Sequence, residues 1–257
     1  MIFYNALGYF KKFMYICNKY ATMLRLLIKS MIFGLFVAGI CFSSCKHETL
    51  APSDVGYKYF PTNIGHWAAY NVDLTVWDDF YPVDSPQHIQ TFIFDIKEII
   101  ESDFYDNENR LTQRIECYKK INDTTNWFLK DVWVSNLMPS TAEKVEENIR
   151  YVKLVFPIME NMTWNGNAFN TLGSQDYKYD NVFEPYTVNG VTFDSTVTVI
   201  QDIDTNIAIY EKIQFEVYAK NVGLIYRKFR DVEKNPYYPD STVSGTDFTY
   251  RIKTFGN

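Results

Sequence analysis

The chain has 257 residues, of which 18% are aromatic and 22% charged, with a net charge of −6. That balance excludes a disordered chain, and only 11 Gly and 9 Pro exclude a Gly/Pro-driven fibre. Four cysteines exclude a disulfide scaffold, and the acidic balance argues against nucleic-acid binding, which rests on Lys and Arg neutralising phosphates.

Residues 1–44 carry Lys11, Lys12, Lys19, Arg25 and Lys29 and no acidic residue. From Met23 the pattern of a secretory signal is complete, so residues 23–44 are expected to be a signal peptide. Residues 1–22 are then an extension before the true start or a long n-region. Arg25 and Lys29 supply the positive charge, Met31 to Phe42 an uncharged apolar core, and Ser43 and Ser44 the small residues before Cys45. The apolar run falls well short of the roughly 20 residues that span a bilayer. Phe42-Ser43-Ser44-Cys45 resembles a bacterial lipobox, although Leu is usual where Phe42 stands. The resemblance implies cleavage before Cys45 and its acylation, hence attachment to a membrane without a spanning helix. Several acyl chains hold a protein firmly where one does so only marginally. Lys46, rather than Asp, follows the Cys, and by the same resemblance this favours the outer membrane, on its periplasmic or its surface face. Removing 44 of 257 residues leaves 213, with 20 basic and 31 acidic side chains, and two of the four cysteines, Cys45 and Cys117. Cys117 then has no partner and is expected to be a small buried residue.

Residues 45–57 read as a flexible tether, and residues 58–257 as a single β domain. From Tyr59 onward apolar and polar residues alternate with the strand period of two. Leu111, Ile115 and Cys117 oppose Thr112, Arg114, Glu116, Tyr118 and Lys120. Val191, Phe193, Ser195, Val197 and Val199 oppose Thr192, Asp194, Thr196 and Thr198. Ile213, Phe215, Val217 and Ala219 oppose Lys212, Gln214, Glu216, Tyr218 and Lys220. Polar turns separate these runs at residues 106–109, 121–125 and 221–223, and Asn189-Gly190 is a strong hairpin signal. Ser140 with Glu143 three residues on reads as a capping box that opens a two-turn helix ending by Asn148. The expected fold is all-β: one strongly curved antiparallel sheet, a half-barrel or a sandwich, with one short helix.

Tyr59-Phe60-Pro61, Gly65-His66-Trp67 and Tyr70 open the domain, and Val222-Gly223-Leu224-Ile225-Tyr226 stands near its end. Together they resemble the "YFP…G.W..Y" opening and "VGLIY" ending of Bacteroidetes-type outer-membrane lipoproteins, whose members mostly have no assigned activity. Physically, Pro61 suits a strand start, Gly65 a tight turn, and Trp67 the plug of a β core. Gly65-His66-Trp67 also resembles the lipocalin G-x-W signature, with Thr246-Asp247-Phe248 similar to that family's T-D-Y but displaced to the last strand.

Catalytic patterns are missing from the sequence. Asp202-Ile203-Asp204-Thr205-Asn206 begins like a calcium loop, but Ile207 and Ile213 stand where Gly and Glu are required. His47, His66 and His88 have no metal spacing, and there is no G-x-S-x-G, Walker A or G-x-G-x-x-G. Carboxylate pairs such as Glu98 with Glu101, or Asp78 with Asp79, occur in any acidic chain. No enzyme activity, cofactor or metal is therefore expected. Asp123-Thr124-Thr125, Asp194-Ser195-Thr196 and Asp240-Ser241-Thr242 resemble a Bacteroidetes O-glycosylation motif, which implies Thr124, Ser195 and Ser241 as acceptors, the first and last in turns. Trp77, Trp127, Trp133 and Trp164 are either core residues or sugar-stacking platforms. The expected function is a non-catalytic, lipid-anchored envelope protein whose partner is an apolar ligand, a glycan or another envelope protein. The alternatives are a carrier with an apolar cavity and a surface glycan-binding module.

Overall fold

The structure is a computed structural model that describes residues 54–204 and 209–257, together with Met14, Tyr20 and Met23, and leaves out the side chains of residues 239 and 240. The signal segment, Cys45, most of the tether and part of the calcium-like loop lie outside the described residues. Asp54–Asn257 form one compact unit.

A short 3-10 turn at Tyr57–Tyr59 precedes twelve strands. They are β1 (Trp67–Trp77), β2 (Ile89–Tyr105), β3 (Leu111–Lys120), β4 (Phe128–Leu137), β5 (Thr141–Glu146), β6 (Ile149–Val155), β7 (Thr163–Asn165), β8 (Asp176–Val188), β9 (Val191–Asp204), β10 (Tyr210–Ala219), β11 (Gly223–Asn235) and β12 (Tyr238–Gly256). Each pairs antiparallel with its chain neighbours except β6 with β7, and β1 also pairs with β12. The single sheet curls until its two edges meet, nearly closing a barrel. The seam is stitched rather than laddered. Val152 N–H donates to Gly166 O at 2.9 Å, and Trp164 Nε1 donates to Val152 O at 2.9 Å. The Tyr179 hydroxyl accepts from Val155 N and donates to Val155 O, both at 2.8 Å. Covering both edges this way removes free backbone donors that would otherwise invite aggregation.

The expected helix at 140–148 is instead the β5–β6 hairpin. Its turn is Glu147-Asn148 at φ 50° and 65°, the left-handed pair of a type I′ turn. The period of two places Ala142, Lys144 and Glu146 on one side, where all three are buried, and a helix would spread them around its axis. The Asn189-Gly190 turn joins β8 and β9 at φ 50° and 77°, as its sequence predicts.

One end of the barrel is plugged by the chain that enters it. Tyr59 and Phe60 are buried among Ala142, Leu154, Tyr179 and Val199, and the Tyr59 hydroxyl meets Ser195 Oγ at 2.6 Å. Gly223 starts β11 at φ 87°, and a Cβ there would lie 2.9 Å from Pro61 Cδ, so both its backbone and the plug require glycine. The plug is thus Tyr59-Phe60. Trp67 does not fill this role: it is only partly buried and lies on the face opposite the buried Ala68, against Gly256 and under Lys97 Nζ at 4.8 Å. Ala68 occupies the inward position that the indole was expected to take.

The outer face of the barrel is polar over β1, β11 and β12. Arg251 pairs with Asp73, Lys253 with Asp95, and Asp247 with both Lys228 and Arg230. A lipid-facing barrel would lose about 2–4 kcal/mol for a Lys or Arg at the bilayer midplane, so this surface is built for water. No described helix is long and apolar enough to cross a membrane.

Candidate functional site: a charged lumen and its polar cleft

The alternation in β10 places Glu216 and Tyr218 on one face and Phe215 and Val217 on the other. The sequence leads one to expect the apolar face inward and the polar face in solvent. In the structure both are covered, and the polar face lines the lumen. Tyr226 of β11 lies on the outer side with Phe215, their rings 5.5 Å apart, and Tyr186 from the β8–β9 hairpin covers Tyr226 at 5.8 Å. That hairpin leaves the barrel wall where Asn181 and Phe183 adopt φ 50° and 64°.

Glu216 is 1% exposed. Its carboxylate accepts from Lys153 Nζ at 2.9 Å and from the Tyr218 hydroxyl at 2.6 Å. Glu146 accepts from the same lysine at 3.3 Å and from Arg227 at 3.2 Å, and Lys144 lies 3.3 Å away. Lys144 donates in turn to Glu98 at 2.7 Å and sits over the Trp133 ring at 4.6 Å. Glu98, Glu146 and Glu216 thus balance Lys144, Lys153 and Arg227 in one ionic layer across the lumen. Burial pushes the Glu146 and Glu216 carboxyls up, but Lys153 and Arg227 outweigh it and hold both below the usual carboxylate range. Burial works against the charge of Lys144, and Glu98 and Glu146 outweigh it to hold the ammonium above its ordinary value. Glu146, Glu216, Lys144 and Arg227 are therefore all held in their charged forms at neutral pH. Two buried nitrogens, Trp133 Nε1 and Arg227 Nε, have no hydrogen-bond partner among the described residues.

Between this layer and the plug lies a cavity of about 80 Å³, reached by His66, Tyr70, Ser135 and Pro61. It has room for a few waters and none for an acyl chain. On the other side of the layer, away from the plug, the lumen widens into a cleft of about 440 Å³. Lys153 and Arg227 form its floor, and Tyr151, Tyr177 and Phe229 are its aromatic walls. Asn167, Gln175, Gln201 and Gln214 supply amides. Phe229 is held by stacking on Phe248, centroids 4.8 Å apart and planes within 7°. Lys212 at the rim is paired to Asp231 at 3.4 Å. Asp202 lines the cleft with no ion pair among the described residues, and burial raises its carboxyl. The volume lies within the range of small-molecule sites.

The residues singled out from the sequence are scattered. Glu98 and Glu101 are not brought together: Glu98 joins the lumen, while Glu101 pairs with Arg114 at 2.9 Å. Asp78 organises the β1–β2 loop, accepting from Phe80 N. Trp133 and Trp164 are core and seam residues, and Trp127 is an exposed loop residue. Trp77 lines a separate groove with Tyr237 and Tyr238 and is covered by Arg230 at 5.5 Å, so the tryptophans form no common platform. Thr124 is exposed in the β3–β4 turn. Ser195 is partly buried within β9 and bonded to Tyr59. Ser241 lies in β12 and not in a turn, because the β11–β12 hairpin turns earlier, before Tyr238. Tyr70 is buried and donates to Leu224 O at 3.1 Å. Cys117 is 1% exposed, and burial pushes its thiol up to about 12, which leaves it inert. The ionic layer and the cleft went unpredicted: Lys144 and Glu146 fell in the supposed helix, and Glu216 on the supposed solvent face.

No protein-family model matches the chain. Among solved structures it is similar to a Bacteroides fragilis protein assigned as exported, with a YmcC-like fold, at 9% identity over 77% of this chain and 98% of that chain, with a TM-score of 0.39. A likeness of that size carries no weight for function.

Proposed function

We propose that the protein is a non-catalytic, lipid-anchored lipoprotein of the outer membrane whose lumen binds a polar, uncharged ligand of the saccharide class. The anchor rests on the signal pattern ending at Cys45. The ligand rests on one observation, the polar cleft above the ionic layer. Aromatic faces beside amide groups suit a sugar, which offers C–H faces to rings and hydroxyls to amides. The floor cations are already neutralised by Glu146 and Glu216, so no charge is left to recruit an anion. A carrier of apolar ligands finds less support, since the space between the layer and the plug, although lined in part by Ile100, Ile115 and Leu224, is only about 80 Å³. Among the three acceptors implied by the glycosylation resemblance, Thr124 is the accessible one.

Two experiments test this. Cys45→Ser is expected to release the protein from membranes, and a variant that stays bound refutes the anchor. Titration calorimetry against a panel of neutral mono- to trisaccharides is expected to show saturable binding that Phe229→Ala and Gln214→Ala each weaken about tenfold, or roughly 1.4 kcal/mol. Binding of fatty acids with no response to any saccharide would overturn the ligand class.

A further inference from the structure

The lumen has two different ends, and the chain reaches one of them. Asp54, the first residue of the barrel unit, lies at the plug: it pairs with Lys220 at 2.6 Å, and Val55 O accepts from Ile158 N. Ala219 and Gly223 flank the same end, where Asn221 N donates to Lys58 O. The cleft residues Lys212 and Gln214, and Phe229 and Asp231, lie farther along the same two strands. At about 3.3 Å per residue, this places the cleft on the order of 20 Å from the plug. Eight residues, Lys46 to Ser53, separate Cys45 from Asp54. Fully extended they reach about 30 Å. An acylated Cys45 therefore ties the plugged end to the bilayer and favours it over the cleft, while the reach of the tether, longer than the roughly 20 Å between them, leaves the choice of end to the surface itself.

Charge favours the same arrangement. The connections at the plugged end carry Asp54, Asp106, Glu108 and Glu160 against Lys58, Arg110 and Lys220. Two of those acids pair with Arg110 at 2.8 and 3.2 Å. The connections at the opposite end carry Asp78, Asp79, Asp84, Asp123 and Glu147 and no Lys or Arg among their described residues; Lys120 and Lys130 of the adjoining strands pair with Asp123 and Glu147 at 3.5 and 3.4 Å, which leaves three acids unpaired among the described residues. An anionic lipid surface repels the second set more strongly than the first within a Debye length of about 8 Å.

We infer that the protein stands on the membrane by its plugged end, with a lipid headgroup surface as the partner of that end, and that the cleft opens away from the bilayer. Its ligand then arrives from the aqueous side. This inference rests on the acylation of Cys45 proposed above, while the identity of the ligand does not enter it.

The test uses the full-length, acylated protein in its own membranes. A donor dye is placed on Ile64→Cys or Met159→Cys at the plugged end, and on Leu172→Cys or Phe80→Cys at the open end, with an acceptor dye in the lipid headgroups. These four positions are 58%, 50%, 59% and 83% exposed, whereas Cys117 is buried and does not label. Two positions at each end guard against a variant that folds poorly. Energy transfer is expected to be several-fold greater from the plugged-end labels. Equal transfer from both ends, or the reverse order, in protein that Cys45→Ser releases overturns the orientation alone. Protein that stays membrane-bound after Cys45→Ser overturns the anchor, and the orientation falls with it.

Discussion

Glu216 and Lys153 are charged, 1% and 2% exposed, and 2.9 Å apart. Their value lies in each other: a buried pair can be replaced by apolar groups at little cost, but breaking it leaves a lone charge out of water. Glu216→Ala is expected to lower stability by about 3–5 kcal/mol in urea unfolding. The double variant Lys153→Met with Glu216→Met should lose less than the sum of the single changes. Additive losses would show that the two groups are not coupled. The same residues fix an acid limit. The carboxyls of Glu146 and Glu216 are held low in the folded state, so the unfolded chain takes up protons first as pH falls. Their contribution is complete above the unfolded value of about 4.3 and is lost as pH falls through the folded values. The urea midpoint should hold steady from pH 7 to 5 and drop below about pH 4. A flat profile down to pH 3 would contradict the ionic layer. None of these partners was legible in the sequence, because alternation separates two faces without saying which one looks into a lumen.

Among the elements, the seam between β6 and β7 carries the least backbone pairing, and side chains make up the difference. Trp164→Phe and Tyr179→Phe each remove a partner from a backbone group of β6. Each is expected to cost about 1–3 kcal/mol, the desolvation penalty of an unpaired buried polar group. Tyr179→Phe should also speed hydrogen exchange at the Val155 amide, and unchanged exchange would mean that the edge is held by other contacts. Most strands were readable from their period of two, as was the Asn189-Gly190 hairpin. The β5–β6 hairpin was not. Ser140 and Glu143 satisfy a local capping pattern, but pairing of β5 with β4 and β6 on either side outweighs one cap. Glu147-Asn148 is a less familiar turn pair than Asn-Gly, although it adopts the same left-handed backbone.

For the whole molecule, the position of the ionic layer decides what the barrel can hold. Twelve strands could enclose a wide cavity, yet Lys144, Lys153, Arg227, Tyr70 and Tyr218 fill its middle, leaving about 80 Å³ above the plug. Native mass spectrometry of the protein from its own membranes, with the mass of the acyl chains proposed on Cys45 accounted for, should show no additional lipid. A stoichiometric apolar adduct would require the layer to open and would restore the carrier alternative. The sequence alone determined that the chain is all-β and antiparallel, because strand period and turn chemistry are local properties. It also supplied the signal pattern at Cys45, which is a linear motif. Only the tertiary structure decided that the sheet curls until it nearly closes on itself, that the plug is Tyr59-Phe60 instead of Trp67, and that three carboxylates and three cations meet inside. Those groups lie on five strands and come within 4 Å only because β1 pairs with β12, a contact between residues more than 150 positions apart.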